Sequence, residues 1–169
     1  MDETAAASPV ELVTEDDRWT EAGLESLAGR AVATALTAAG RDPARHALAL
    51  LACDDARIAE LNTTFRGRAA PTNVLSWPAF QGPPPQPDPR GELLFLGDIA
   101  IAYDTCAREA AAAGLSLADH ATHLVVHGLL HLLGHDHVEE ADAAAMEAIE
   151  TKTLATLGIA DPYSPQGRP

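Results

Sequence analysis

The sequence predicts one globular domain that mixes strands with helices, and three observations carry that reading. The chain has 169 residues, the size of an ordinary domain and long enough to bury a core. Its composition, 47% hydrophobic and 21% charged, is that of a folding chain rather than a disordered or fibrous one. Apolar residues recur at strand-like and then helix-like spacing along its length, with no internal repeat and no domain boundary.

Residues 10–13 alternate as a short strand. From 20 to 39, Leu24, Leu27, Ala31, Ala35 and Leu36 fall at helical spacing, so a helix is expected up to Gly40. HALALLACD (46–54) is a continuous apolar run, as a strand covered on both faces requires. Asp54 is placed to cap a helix over DARIAELNTTF, which Gly67 closes. TNVLSWP (72–78) reads as a third strand, stopped by Pro78.

The loop QGPPPQPDPR (81–90) follows as a polyproline-like surface connector, either a lid or docking loop or a plain connection. Residues 92–102 form an apolar strand with Gly97 and Asp98 inside it, and Asp104 opens a helix running to Gly114. Ser116 with Asp119 makes an S-x-x-D box ahead of LADHATHLVVHGLLHLLG, a long helix stopped by Gly134. The acidic run EEADAAAMEAIE starts a last helix, its carboxylates near the positive end, and that helix finishes near Leu157 and Gly158. The whole chain, 1–169, reads as a single domain with residues 160–169 as a disordered tail.

The formal net charge is -14, and of the 11 basic residues only Lys152 is a lysine. A broad electrostatic grip on nucleic acid needs many cations, so any RNA or DNA contact has to be local. Cys53 and Cys106 lie far apart with no C-x-x-C spacing, which fits a reducing compartment. The acidic start MDETAAASPV lacks the basic and apolar regions of a secretory signal, and no apolar run approaches a membrane span. A cytoplasmic protein with no membrane partner is expected.

Against this background HGLLHLLGHDH (127–137) stands out, with four of the seven histidines of the chain. His127 and His131 are an i, i+4 pair on one helix face, the spacing of two ligands of one metal. Gly134 breaks the helix, and the following turn returns a third imidazole, His137, in an H-x3-H-x5-H pattern. Three imidazoles around Zn²⁺, one ion per chain, leave the fourth tetrahedral position open, which marks a catalytic rather than a closed structural site. Water at that position has its pKa lowered to about 7, the equipment of a hydrolase.

Gly128 occupies the place where H-E-x-x-H metalloproteases carry their general base. A peptidase is therefore disfavoured, and the glycine leaves room for a bulky or anionic substrate, serves close helix packing, or does both. His123 and His120, one and two turns earlier, are either hydrogen-bond partners of the ligands or ordinary core and surface residues. His135 either points outward or touches substrate.

HGLLHLLGHDH resembles H-G-x-L-H-L-x-G-[YH]-D-H, the signature of the YbeY family of bacterial rRNA maturation factors and endoribonucleases. ELNTTFRGRAAPTNVLSWP (60–78) is similar to that family's E-L-N-x-x-[FY]-R-x-x-x-x-P-T-[DN]-V-L-S-F-P block, with Trp77 for the usual phenylalanine, and LGDIAIA (96–102) is similar to its L-G-D-I-x-I strand. The resemblance spans residues 45 to 155.

It implies an α+β single domain, a four-stranded mixed sheet with one antiparallel strand surrounded by helices, with a zincin-like core. It implies that His127, His131 and His137 hold zinc and that Arg66 lies near the metal and is needed for activity. The implied activity is metal-dependent, single-strand-specific endoribonuclease action in 16S rRNA 3′-end maturation and ribosome quality control. The implied partners are the 16S rRNA precursor, the small ribosomal subunit, ribosomal protein S11 and the GTPase Era.

The chemistry of the remaining candidates is consistent with this. The guanidinium of Arg66 is able to hold a phosphate bidentately and offset charge building in a pentacoordinate transition state. Arg68 offers a second phosphate contact, and Arg90 is a loop candidate. Asp136 is read as a carboxylate that orients a ligand, and Asp98 as a structural residue. Two alternatives remain: another metal-dependent hydrolase, and a ribosome-assembly binding factor whose metal is mainly structural. Three imidazoles also suit Ni²⁺, Cu²⁺ or Fe²⁺, and nothing in the residues chooses between water and the RNA 2′-hydroxyl as nucleophile.

Overall fold

The computed structural model describes residues 9–68, 70–135 and 140–160. All but the first residue of the tail expected at 160–169 lies outside them. Four strands and six helices follow in the order β1 (Val10–Thr14), α1 (Arg18–Glu21), α2 (Leu24–Ala38), β2 (His46–Cys53), α3 (Asp55–Arg66), β3 (Val74–Pro78), β4 (Leu94–Ala102), α4 (Tyr103–Ala113), α5 (Leu117–Leu132) and α6 (Glu140–Thr156). The sheet order is β1-β2-β4-β3, with β1, β2 and β4 parallel and β3 antiparallel on the edge beside β4. This is the α+β single domain with a four-stranded mixed sheet that the sequence resemblance implies.

Alternation along the strands sends side chains to two apolar layers. Leu48, Leu50, Ala52, Ile99 and Ile101 join α2, α5 and α6 in the larger core. Cys53, Leu75, Ala100 and Ala102 pack with Ile58 of α3 on the other side. That two-sided burial is why 46–53 reads as an unbroken apolar run.

Local signals set the helix ends. The Asp54 side chain accepts from Arg57 N at 2.8 Å and the Ser116 hydroxyl from Asp119 N at 3.0 Å. Each such cap contributes about 1 kcal/mol. The helix expected over 20–39 is divided: Gly23, at φ 76°, separates α1 from α2. The break lets Trp19 sink to 1% exposure and donate its indole N–H to Cys53 O at 3.0 Å.

The proline-rich loop is tied down rather than loose. Arg41 donates to Pro84 O at 2.7 Å and Pro85 O at 3.1 Å, and Arg45 donates to Asp88 O at 3.0 Å and to Gly91 O. The loop then passes against Gly134, where a Cβ would lie 2.7 Å from Pro83 N. With φ at 98°, that position at the end of the long histidine helix requires glycine twice over, for backbone conformation and for space. No helix among the described residues is long and apolar enough to cross a membrane.

Candidate metal centre

α5 is amphipathic in an unusual way. Val125, Val126, Leu129, Leu130 and Leu132 are buried in the core, while His120, His123, His127 and His131, three or four residues apart, line a groove of about 1060 Å³. β3 supplies another wall through Val74 and Ser76, and α3 contributes Asn62 and Arg66.

The two ligand candidates converge. His127 Nε2 and His131 Nε2 are 3.0 Å apart. On the far side of each ring a partner fixes its orientation: His131 Nδ1 is 2.9 Å from His135 O, and His127 Nδ1 is 3.0 Å from Glu150 Oε2. A carbonyl only accepts, so His131 carries its proton on Nδ1 and presents the lone pair of Nε2 to the groove.

The donor set fits a zinc-like cation. Two nitrogens at the usual Zn–N length of 2.0–2.1 Å and a tetrahedral angle are roughly 3.3 Å apart, close to the observed separation. Two facing imidazole nitrogens need either a proton or a metal between them, and the outer nitrogens are already held as in metal–histidine–acceptor arrangements. Among the described residues no group of three or more His, Cys, Asp or Glu is placed to hold a metal ion. The third expected ligand, His137, lies outside them, as does Asp136.

Arg66, the last residue of α3, lines the same groove and donates from Nη2 to Ser76 O at 2.9 Å. The Ser76 hydroxyl donates to Gly128 O at 3.3 Å, so one serine on the edge strand joins α3 to the histidine helix. Arg68 also lines the groove and is exposed. His135 lines it too, with Nδ1 3.3 Å from Asp142 Oδ1 of α6.

Gly128 is a close packing position of α5 against the sheet. It is buried and absent from the groove lining, and a Cβ there would lie 3.2 Å from Ile99 Cδ1, Ile99 Cγ2 and Ser76 Oγ. The missing side chain lets α5 approach the sheet, which is the close helix packing that the sequence also offered for this position. Asp98 is exposed and neither Asp98 nor Arg90 lines the groove.

Two features escape the sequence reading. Glu150 is fully buried, and its Oε2 also lies 3.3 Å from His123 Nε2. Its signal was its place in α6, in line with buried Met146 and Leu154 four residues to either side, where an apolar residue is the rule. Glu109 of α4 receives both His120 Nε2, 2.9 Å away, and Asn73 Nδ2 at 3.1 Å, fixing the other end of the groove.

The comparisons agree with this architecture. The family model described as "Endoribonuclease YbeY" matches residues 10–158. A protein of Dinoroseobacter shibae named "Endoribonuclease YbeY" is 55% identical over 166 residues, covering 94% of this chain and 92% of that one. A Ruegeria pomeroyi protein of the same name is 54% identical over 164 residues, covering 92% and 98%. The solution structure of TM1509 from Thermotoga maritima is similar in fold, with a TM-score of 0.57 at 19% identity over 92% of this chain and 99% of that one.

Proposed function

The chain belongs to the Endoribonuclease YbeY family, enzymes that hydrolyse phosphodiester bonds, and from that premise we propose a zinc-dependent, single-strand-specific endoribonuclease of 16S rRNA 3′-end maturation and ribosome quality control. The observation that carries it is the charge of the groove. In a chain with 25 Asp and Glu, the described lining residues include no carboxylate, while they include Arg66, Arg68 and five histidines. A polyanion is excluded from most of such a surface and accepted here.

In this reading His127, His131 and His137 hold one zinc ion. When bound, the metal supplies a Lewis acid that polarises a phosphoryl oxygen and lowers the pKa of water. Arg66 holds a non-bridging oxygen of the scissile phosphate, and its anchor on Ser76 O keeps the guanidinium aimed before substrate arrives. His135 and Arg68 flank the strand. Either water or the RNA 2′-hydroxyl attacks phosphorus, and product ends distinguish them: a 2′,3′-cyclic phosphate requires the hydroxyl.

The same acidity favours help in binding. With two arginines in the groove of a chain of net charge -14, much of the affinity for the 16S rRNA precursor comes from the small ribosomal subunit, with ribosomal protein S11 and the GTPase Era as partners, in the cytoplasm.

The test is cleavage of an end-labelled single-stranded RNA by zinc-loaded wild type and His137→Ala, purified identically, with and without chelator. Cutting by metal-loaded wild type alone supports the reading. Equal cutting by both, or by neither, removes the nuclease site from the histidine cluster.

A further inference from the structure

We propose that Glu150 is a positioning residue of the metal centre, which locks the His127 ring with its proton on Nδ1 and so sets the metal affinity of the site. The proposal rests on the reading of His127 and His131 as ligands of one zinc ion.

Glu150 has no solvent exposure, and a buried carboxylate is retained only where its oxygens find donors. Oε2 finds its donor in His127 Nδ1 at 3.0 Å, and His123 Nε2 lies 3.3 Å away as a charge contact rather than a hydrogen bond. The ring of His127 has two nitrogens with opposite duties. As Nδ1–H donates to the carboxylate, Nε2 is left as a lone pair directed at the point where His131 Nε2 also ends, 3.0 Å away. Without the carboxylate, neutral imidazole is free to place its proton on Nε2 or to rotate, and either change removes a ligand.

The two histidines are braced differently, which singles Glu150 out. His131 is held by a backbone carbonyl, that of His135, whose own ring reaches Asp142 Oδ1 at 3.3 Å. His127 is held at Nδ1 by a side chain, and that side chain comes from α6. The last helix is therefore a rear support for the site: Glu150 acts on one ligand directly, and Asp142 on the other through His135. A carboxylate behind a metal-bound imidazole also raises its basicity.

The experiment measures zinc affinity by competition with a chromophoric chelator for wild type, His131→Ala, Glu150→Gln and Glu150→Met, together with melting of the metal-free proteins. Glu150→Gln keeps an acceptor but loses the charge, and Glu150→Met loses both at similar volume. Expected is a graded loss, roughly 10-fold for Gln and up to about 100-fold for Met, in that order whatever the metal-free melting temperatures. Two-bond proton–nitrogen correlations of the ring should show His127 protonated at Nδ1 in wild type and no longer exclusively so in metal-free Glu150→Met.

Wild-type affinity in both Glu150 variants, with zinc lost in His131→Ala, overturns the role of Glu150 and leaves the metal site standing. Wild type that binds no better than His131→Ala overturns the metal reading and the proposal with it. A His127 ring protonated only at Nε2 in metal-free wild type overturns the proposal without reference to zinc.

Discussion

The guanidinium of Arg66 rests on the backbone oxygen of Ser76, 2.9 Å away, although one residue ends a helix and the other lies in the edge strand. An exposed arginine ordinarily samples many rotamers, and this contact holds one of them over the groove at little cost to the fold. Arg66→Ala is expected to retain zinc and the wild-type melting temperature while cleavage falls by at least about 100-fold, the scale of losing one charge-stabilising donor. Lysine should not restore it, because a point charge lacks the two-pronged geometry. Full cleavage by a zinc-loaded Arg66→Ala protein would remove Arg66 from the mechanism.

Gly128→Ala tests packing against substrate room. A methyl group 3.2 Å from both Ile99 and Ser76 Oγ should push α5 off the sheet and destabilise the protein by about 1–3 kcal/mol. Adding Ile99→Val, which removes Cδ1, should recover part of the loss in a double-mutant cycle read by denaturant unfolding. Unchanged stability with impaired RNA cleavage would return Gly128 to the substrate.

The two thiols give a stability dependence at alkaline pH. Burial pushes both Cys53 and Cys106 up to about 12, with Glu15 and Asp54 adding to the effect on Cys53 and Glu109 to that on Cys106. Above the ordinary value of 9.0 the unfolded chain loses these protons while the folded one keeps them. Stability from this source is complete below that value and drains away as pH climbs towards 12. Thiol-reagent labelling at neutral pH should run no faster than global unfolding. Prompt labelling of the native protein would contradict the burial of both sulfurs.

At the acid end the relevant group is Arg18. Its hydrogen bonds hold the Asp16 and Asp104 carboxyls below their ordinary value of 3.8, with Asp16 Oδ2 2.6 Å and Asp104 Oδ1 2.9 Å from the guanidinium. A carboxylate depressed in the folded state stabilises above its unfolded pKa and loses that contribution as pH falls through the folded one. The wild-type melting temperature should therefore drop below about pH 4, and less steeply in Arg18→Met. Parallel profiles for the two proteins would show that the cluster contributes nothing measurable, as exposed pairs often do.

Much of this was legible in the residues. The four strands, the Asp54 and Ser116 caps and the glycine after the long helix are written in local chemistry, so periodicity and capping preferences suffice to find them. The pairing of His127 with His131 follows from helical spacing alone. The division at Gly23 was not legible, because a buried Trp19 decides it by reaching a carbonyl of β2. Glu150 was hidden by its neighbours: in an acidic helix one more glutamate looks solvated, and its alignment with Met146 and Leu154 marks the buried face only once α6 is seen packed on the core. For Gly128 close helix packing was one of two readings, but the strand that it packs against, distant in sequence, was not legible.

A groove whose described lining holds no carboxylate has a consequence for ionic strength. An RNA strand held by Arg66 and Arg68 in the proposed way would displace the counterions of about two phosphates, so the logarithm of its affinity should fall with the logarithm of salt with a slope near -1.4, at roughly -0.7 per phosphate. Added salt also screens the repulsion between RNA and the remainder of an acidic molecule, which acts in the opposite direction. Lysine-rich RNA-binding proteins release their targets as salt rises through the physiological range. With two arginines in the described lining of its groove, this protein should show a much shallower fall.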